Sequence, residues 1–153
     1  MADGMRILGQ KQLERLLMTL PDRVQRKATR SAVNRAATPI VKAARAGAQK
    51  QSGLLKKAIN KKIKTYPAKQ TVMAIIGPRR DVRGEYKGKR RVPANYAHLA
   101  ESGHIDVKTG RFIPGSHFLR NAFDSQQGLA QDVLKDFLAV GIVSEAKKLG
   151  GGR

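Results

Sequence analysis

Thr71-Val72-Met73-Ala74-Ile75-Ile76-Gly77, closed by Pro78, is the stretch whose reading decides the fold class. It is a short run rich in β-branched and apolar residues, bounded by a glycine and a proline, which is the composition of a strand. A partner strand is expected just before it, at about 61–66. Both lie between segments of a different period. From Val24 through Ala28, Ala32, Val33, Ala36, Ile40, Val41 and Ala44 to Ala48, apolar residues recur at helical spacing. Most of them are small, so this helix should pack closely on its neighbours. Downstream, Leu119, Phe123, Ala130, Val133, Leu134, Phe137 and Leu138 mark a last long helix over about 117–139. The order of helices, strands and helix predicts an α+β domain, a small antiparallel sheet packed against a long N-terminal and a long C-terminal helix.

The connecting segments follow from their breakers. A short helix fits 10–19, and Pro21 and Asp22 suit the opening of the next one. Pro39 should kink or split that helix, because proline removes a backbone donor and crowds the preceding turn. Ser52 is placed to cap a short segment over 53–59. Asn95 to Glu101 reads as a short helix stopped by Gly103, and 104–116 as a loop. With no internal repeat, residues 1–153 are expected to form a single domain, with a flexible Gly-rich tail at about 141–153.

The chain has 153 residues, with 31 Lys and Arg against 11 Asp and Glu, for a formal charge of +20. Such a charge repels itself, so the working environment should supply negative charge through nucleic acid, an anionic membrane or acidic protein surfaces. The charge is uneven. Residues 1–64 hold 16 basic and 3 acidic side chains, 65–120 hold 11 and 4, and 121–153 hold four of each. The positive field therefore belongs to the first two-thirds, and the neutral end is free for another task. Within that field, Arg79, Arg80, Arg83, Lys87, Lys89, Arg90 and Arg91 crowd a segment over 79–93 that reads as a mobile basic loop. It is the candidate contact for DNA phosphates or acidic partners, with a solvated hairpin tip as the plainer alternative.

Several classes are disfavoured. Without cysteine there is no disulfide, thiolate metal site or cysteine nucleophile. No apolar run approaches the roughly 18 residues a membrane span needs, and the first residues carry no secretory pattern, so no membrane partner is expected. Trp is absent and aromatics are few, which argues against base stacking. His98 and Glu101 are three apart, a spacing some metal sites use. A solvated or interface pair is the better reading, and neither cofactor nor enzymatic activity is expected.

Three patches carry a family resemblance. Gln51-Ser52-Gly53-Leu54-Leu55-Lys56-Lys57-Ala58-Ile59 resembles a "TGxLxxSI" element that follows a long helix. Tyr96-Ala97-His98-Leu99-Ala100-Glu101-Ser102-Gly103, followed by His104, resembles "YAxxxExG". Pro114-Gly115-Ser116-His117-Phe118-Leu119-Arg120-Asn121-Ala122-Phe123 is similar to "PFLRPAF" opening a last helix. In this order and spacing, over about 8–140, they resemble the tail-completion or head–tail joining (neck) proteins of bacteriophages with long non-contractile tails, the lambda minor tail protein Z-like group. Ser52 stands for the usual Thr, Ser116-His117 where Pro is common, and Asn121 for Pro. The segment 79–93 is longer and more basic than the family pattern.

The resemblance implies a structural virion protein of the phage neck, assembled in the host cytoplasm. It would form a ring, commonly six-fold, around the DNA channel. Its partners would be copies of itself, the head connector or stopper, the tail tube or terminator, and virion DNA contacted without sequence preference. Ser52, Gly53, Leu54, Tyr96, Ala97, Glu101, Gly103, Phe118, Leu119 and Arg120 would then be framework, with Glu101 accepting backbone donors or a neighbouring subunit's Arg. The alternative from composition is a free basic DNA-binding protein, histone-like or regulatory.

Overall fold

A computed structural model describes residues 21–48 and 53–150, together with Lys11, Arg15 and Met18. Those three isolated positions are helical, and the rest of the expected 10–19 helix lies outside the described residues, as does Ser52. The elements are helix α1 (Asp22–Gly47), α2 (Leu54–Ala58), strands β1 (Ile59–Tyr66) and β2 (Thr71–Pro78), β3 (Gly84–Tyr86) and β4 (Lys89–Arg91), helix α3 (Ala97–Ser102), β5 (Gly103–Ile105) and β6 (Phe112–Pro114), and helix α4 (Phe118–Gly150). The strands form three two-stranded sheets, β1–β2, β3–β4 and β5–β6. The α+β class is as the sequence indicates. The short connection over 67–70 leaves room only for an antiparallel β1–β2 hairpin.

The chain gathers into two compact units. The first holds Met1–Thr38, Ile63–Ile75 and Gln127–Arg153; the second holds Pro39–Lys62 and Ile76–Gln126. In the first unit α1 opens on the carbonyl of Pro21, which accepts the amides of Val24 at 2.8 Å and Gln25 at 3.1 Å. Asp22 puts a negative charge near the positive end of the helix. Ala28, Ala32, Ala36 and Ala37 are buried, as are Ala130, Leu138 and Ile142 of α4. A Cβ placed on Gly141 would lie 3.4 Å from that of Ala28, so the two helices touch where both side chains are minimal. Arg35 covers the ring of Phe137, 5.2 Å from its centroid. Across a shallow cleft, Asp22, Arg26 and Thr29 of α1 face Tyr66, Gln70 and Val72 of the β1–β2 hairpin.

In the second unit the core is built from Ile40, Val41, Ala44, Leu55, Ala58, Ile59, Ala97, Phe118 and Ala122, all buried. A Cβ on Gly47 would sit 3.4 Å from Cβ of Phe118. The Arg45 guanidinium donates through Nε to the carbonyl of Ile59 at 2.9 Å, tying α1 to the start of β1.

Three expectations are corrected. Pro39 does not split its helix, which runs unbroken from Asp22 to Gly47. The last helix does not end near 139, because α4 continues to Gly150 and takes in the first part of the expected Gly-rich tail. Gly141 serves close approach to Ala28 rather than a break. The segment 104–116 is no plain loop but contains the β5–β6 hairpin, pairing Gly103 with Pro114, His104 with Ile113 and Ile105 with Phe112. Phe123 and Phe137, two of the residues that mark the last helix in the sequence, are 44% and 39% exposed. The inward residues of α4 instead follow a four-residue spacing through Phe118, Ala122, Ala130, Leu138 and Ile142. Phe123 and Phe137 each sit one residue, and so about 100° around the helix, from the buried position beside them, Ala122 and Leu138.

Candidate functional site

The basic segment is no plain loop but contains a hairpin. β3 and β4 pair antiparallel, with Gly84 opposite Arg91, Glu85 opposite Arg90 and Tyr86 opposite Lys89. Lys87 and Gly88 make the turn with φ of 52° and 70°. Two positive φ values in a two-residue connection are what matches the right-handed twist of the flanking strands. Glycine takes this conformation without cost and lysine does so unusually, with its ammonium 5.5 Å from the centroid of the Tyr86 ring.

The seven cations are all exposed, but they do not form one patch. The Arg79 guanidinium donates to both carboxylate oxygens of Asp81, through Nε at 2.8 Å and through the terminal nitrogen. That pairing holds the Asp81 carboxyl below its ordinary range and pushes Arg79 up. Arg79 thus has an acid as its partner. Arg90 stands opposite Glu85 on one hairpin face. Lys89 and Arg91 project from the other face, beside Tyr86, with Lys87 at the tip. Among the described residues, Arg80, Arg83, Lys87, Lys89 and Arg91 form no ion pair and face no acid across the hairpin.

The base of this hairpin rests on the first family motif. A Cβ at Gly84 would come within 2.3 Å of Leu54 Cδ2, so a side chain there would require that of Leu54 to shift. The Arg79 amide donates to the Ala58 carbonyl at 2.9 Å. Gly53, with φ of 66°, starts α2 from a left-handed backbone.

The other two motifs close on each other. One carboxylate oxygen of Glu101 accepts the amide of Leu119 at 2.9 Å, and the other accepts that of Arg120 at 3.1 Å. The carbonyls of Ala100 and Glu101 accept the amides of Ser116 and His117 at 2.9 and 3.1 Å, and the Ser116 hydroxyl donates to Ala100 as well. Glu101 is thus the cap of α4, satisfying amides that the first helical turn leaves free. Of its two expected partners it takes the backbone donors. Gly103, with φ of 86°, and Gly115 pass so close that a Cβ on Gly115 would meet the Glu101 carbonyl oxygen at 2.1 Å. Ala97 and Phe118 are buried, Tyr96 and Leu119 half-buried, and Arg120 is exposed, 3.9 Å from Asp124. Asp124 stands one turn along the same helix, both side chains exposed. The signal missed in the sequence was the reach from Glu101 to residues 119–120, an interaction between motifs rather than within one.

His98 is exposed, and its neighbour Glu101 spends both oxygens on α4. Among the described residues no group of three or more His, Cys, Asp or Glu is placed to hold a metal ion, and no helix is long and apolar enough to cross a membrane.

Comparison with known proteins gives one match. A family model described as "Bacteriophage HK97-gp10, putative tail-component" matches residues 11–103, more than half of the chain. No curated protein and no solved structure matches. The matched segment takes in α1, the first two motifs and the basic hairpin, while the third motif and α4 lie beyond it. The chain belongs to the HK97-gp10-like family of bacteriophage tail components.

Proposed function

We propose that this protein is a non-catalytic ring subunit of the phage neck, of the tail-completion or tail-terminator kind. The ring, six-fold, surrounds the DNA channel and joins the tail tube to the head connector or stopper. Arg80, Arg83, Lys87, Lys89 and Arg91 face virion DNA or acidic surfaces of neighbouring proteins, and the three motifs are framework. What carries the reading is the conjunction of membership in a tail-component family with an exposed basic hairpin on a chain of +20. Phosphate contacts of this kind need no base reading and suit a channel that DNA of any sequence must pass.

A cryo-reconstruction of the virion tests this. Density for the chain as a ring between tail tube and head supports it. Density anywhere else in the particle contradicts it. Absence from the particle, with tight DNA binding by the isolated subunit, favours the free DNA-binding protein instead.

A further inference from the structure

The β5–β6 hairpin is an arm with uncovered apolar side chains. Ile105 and Phe112 are each 65% exposed and Val107, at the tip, 97%. Its shape is fixed, because Asp106 organises the turn. One Asp106 oxygen accepts the Lys108 amide at 3.1 Å and the other the Thr109 hydroxyl at 2.7 Å. The backbone of Asp106 meanwhile bonds to Gly110 and Arg111. Lys108 and Arg111 stand exposed beside the apolar tip. Apolar residues held outward on a tied turn are a surface awaiting a cover.

α4 carries a second uncovered surface of opposite character. Leu129, Asp132, Asp136, Val140 and Val143 follow one another at steps of three and four, so they share one helix face, away from buried Ala130, Leu138 and Ile142. Val140 is 64% exposed and Val143 54%. The two aspartates lie in the middle of the stripe. Asp132 has a solvated contact to Lys135 at 3.8 Å, which holds it weakly. In a chain this basic, the balanced segment 121–153 is where a cationic, apolar arm meets least repulsion.

We infer that the β5–β6 arm of one copy docks on the α4 stripe of the next. Val107 and its apolar neighbours cover Leu129, Val140 and Val143, while Lys108 and Arg111 meet Asp132 and Asp136. The two surfaces differ, so the contact is head-to-tail, the kind that closes rings. The inference rests on the ring reading above and names its interface.

The chain has no cysteine, which makes the test clean. Val107→Cys and Val140→Cys, both at exposed positions, are prepared separately, one isotope-labelled, then mixed and treated with a short bis-maleimide. The expected result is a covalent dimer that joins one variant to the other far more than either to itself. Adding Lys108→Glu and Arg111→Glu to the Val107→Cys chain should cut that yield at least tenfold. Adding Asp132→Lys and Asp136→Lys to the Val140→Cys chain should restore it. Wild-type protein that sediments as an oligomer, while the mixed variants join no better than either alone or join only to added tail-tube protein, overturns the docking and spares the ring. Wild-type protein that stays monomeric even with tail-tube protein overturns both.

Discussion

Glu101 holds the first turn of α4 with both carboxylate oxygens, accepting the amides of Leu119 and Arg120 at 2.9 and 3.1 Å. Two motifs that are separate in sequence are one structural device. A carboxylate at a helix N-terminus both satisfies free donors and meets the positive end of the helix dipole. Glu101→Ala should therefore cost about 1–3 kcal/mol of stability, the range for a lost charged cap that leaves amides unmet. Glu101→Gln, which keeps one acceptor, should cost less. Urea unfolding of the two variants checks the order, and equal losses would contradict it.

His117 explains one departure from the family pattern. Its φ is 47° and its amide donates to the Glu101 carbonyl at 3.1 Å. Proline, common at this place in the family resemblance, has neither the required φ nor a donor. His117→Pro should destabilise by about 3 kcal/mol or more. His117→Gly should be neutral or slightly stabilising, since glycine adopts positive φ without strain. Thermal melts of both variants distinguish this from a requirement for the imidazole, under which glycine would also destabilise.

The basic hairpin makes a prediction about salt. If Lys87, Lys89 and Arg91 contact phosphates, changing all three to Gln should flatten the plot of log affinity against log salt by about 2–3 units. Arg79→Gln should do much less, because Asp81 already holds that guanidinium. Binding of duplexes of unrelated sequence, followed by fluorescence anisotropy at several salt concentrations, reads both slopes. An unchanged slope in the triple variant would assign the hairpin to acidic protein partners.

Asp106 gives the arm a pH signature. The Thr109 hydroxyl and the Lys108 amide, with a smaller contribution from His104, hold its carboxyl below the ordinary range. A depressed folded-state pKa adds stability that is present above the unfolded value and disappears as pH falls through the folded one. The turn should thus keep its structure at mildly acid pH and loosen only below the usual carboxylate range. Thr109→Val should move the titration upward. A carboxyl NMR titration checks this; an Asp106 that titrates alike in both proteins would contradict it.

The sequence made much of this legible, and the misses have physical causes. The alanine-rich spacing from Ala28 to Ala48 placed the inward face of α1 correctly, because a period of 3.6 survives whatever packs on it. The run Thr71–Gly77 gave β2 within a residue. The three-residue strands β3 to β6 were hidden because so short a ladder has no periodicity of its own. They are fixed by turn chemistry at Lys87-Gly88 and at Asp106. Gly141 read as a breaker because closeness to Ala28 belongs to tertiary packing. The cations of 79–91 were all visible as candidates, but the partnership of Arg79 with Asp81 and the facing of Arg90 by Glu85 appear only in three dimensions.

The central claim, that this tail component works as a closed ring, is tested most directly by its mass in solution. Purified protein at moderate salt, with and without the tail-tube protein of the same phage, would be measured by native mass spectrometry. The account predicts one discrete multiple of the 16.8 kDa chain, six by the proposed symmetry, either alone or on meeting the tube. A chain that remains a monomer in both conditions while binding DNA tightly would contradict it.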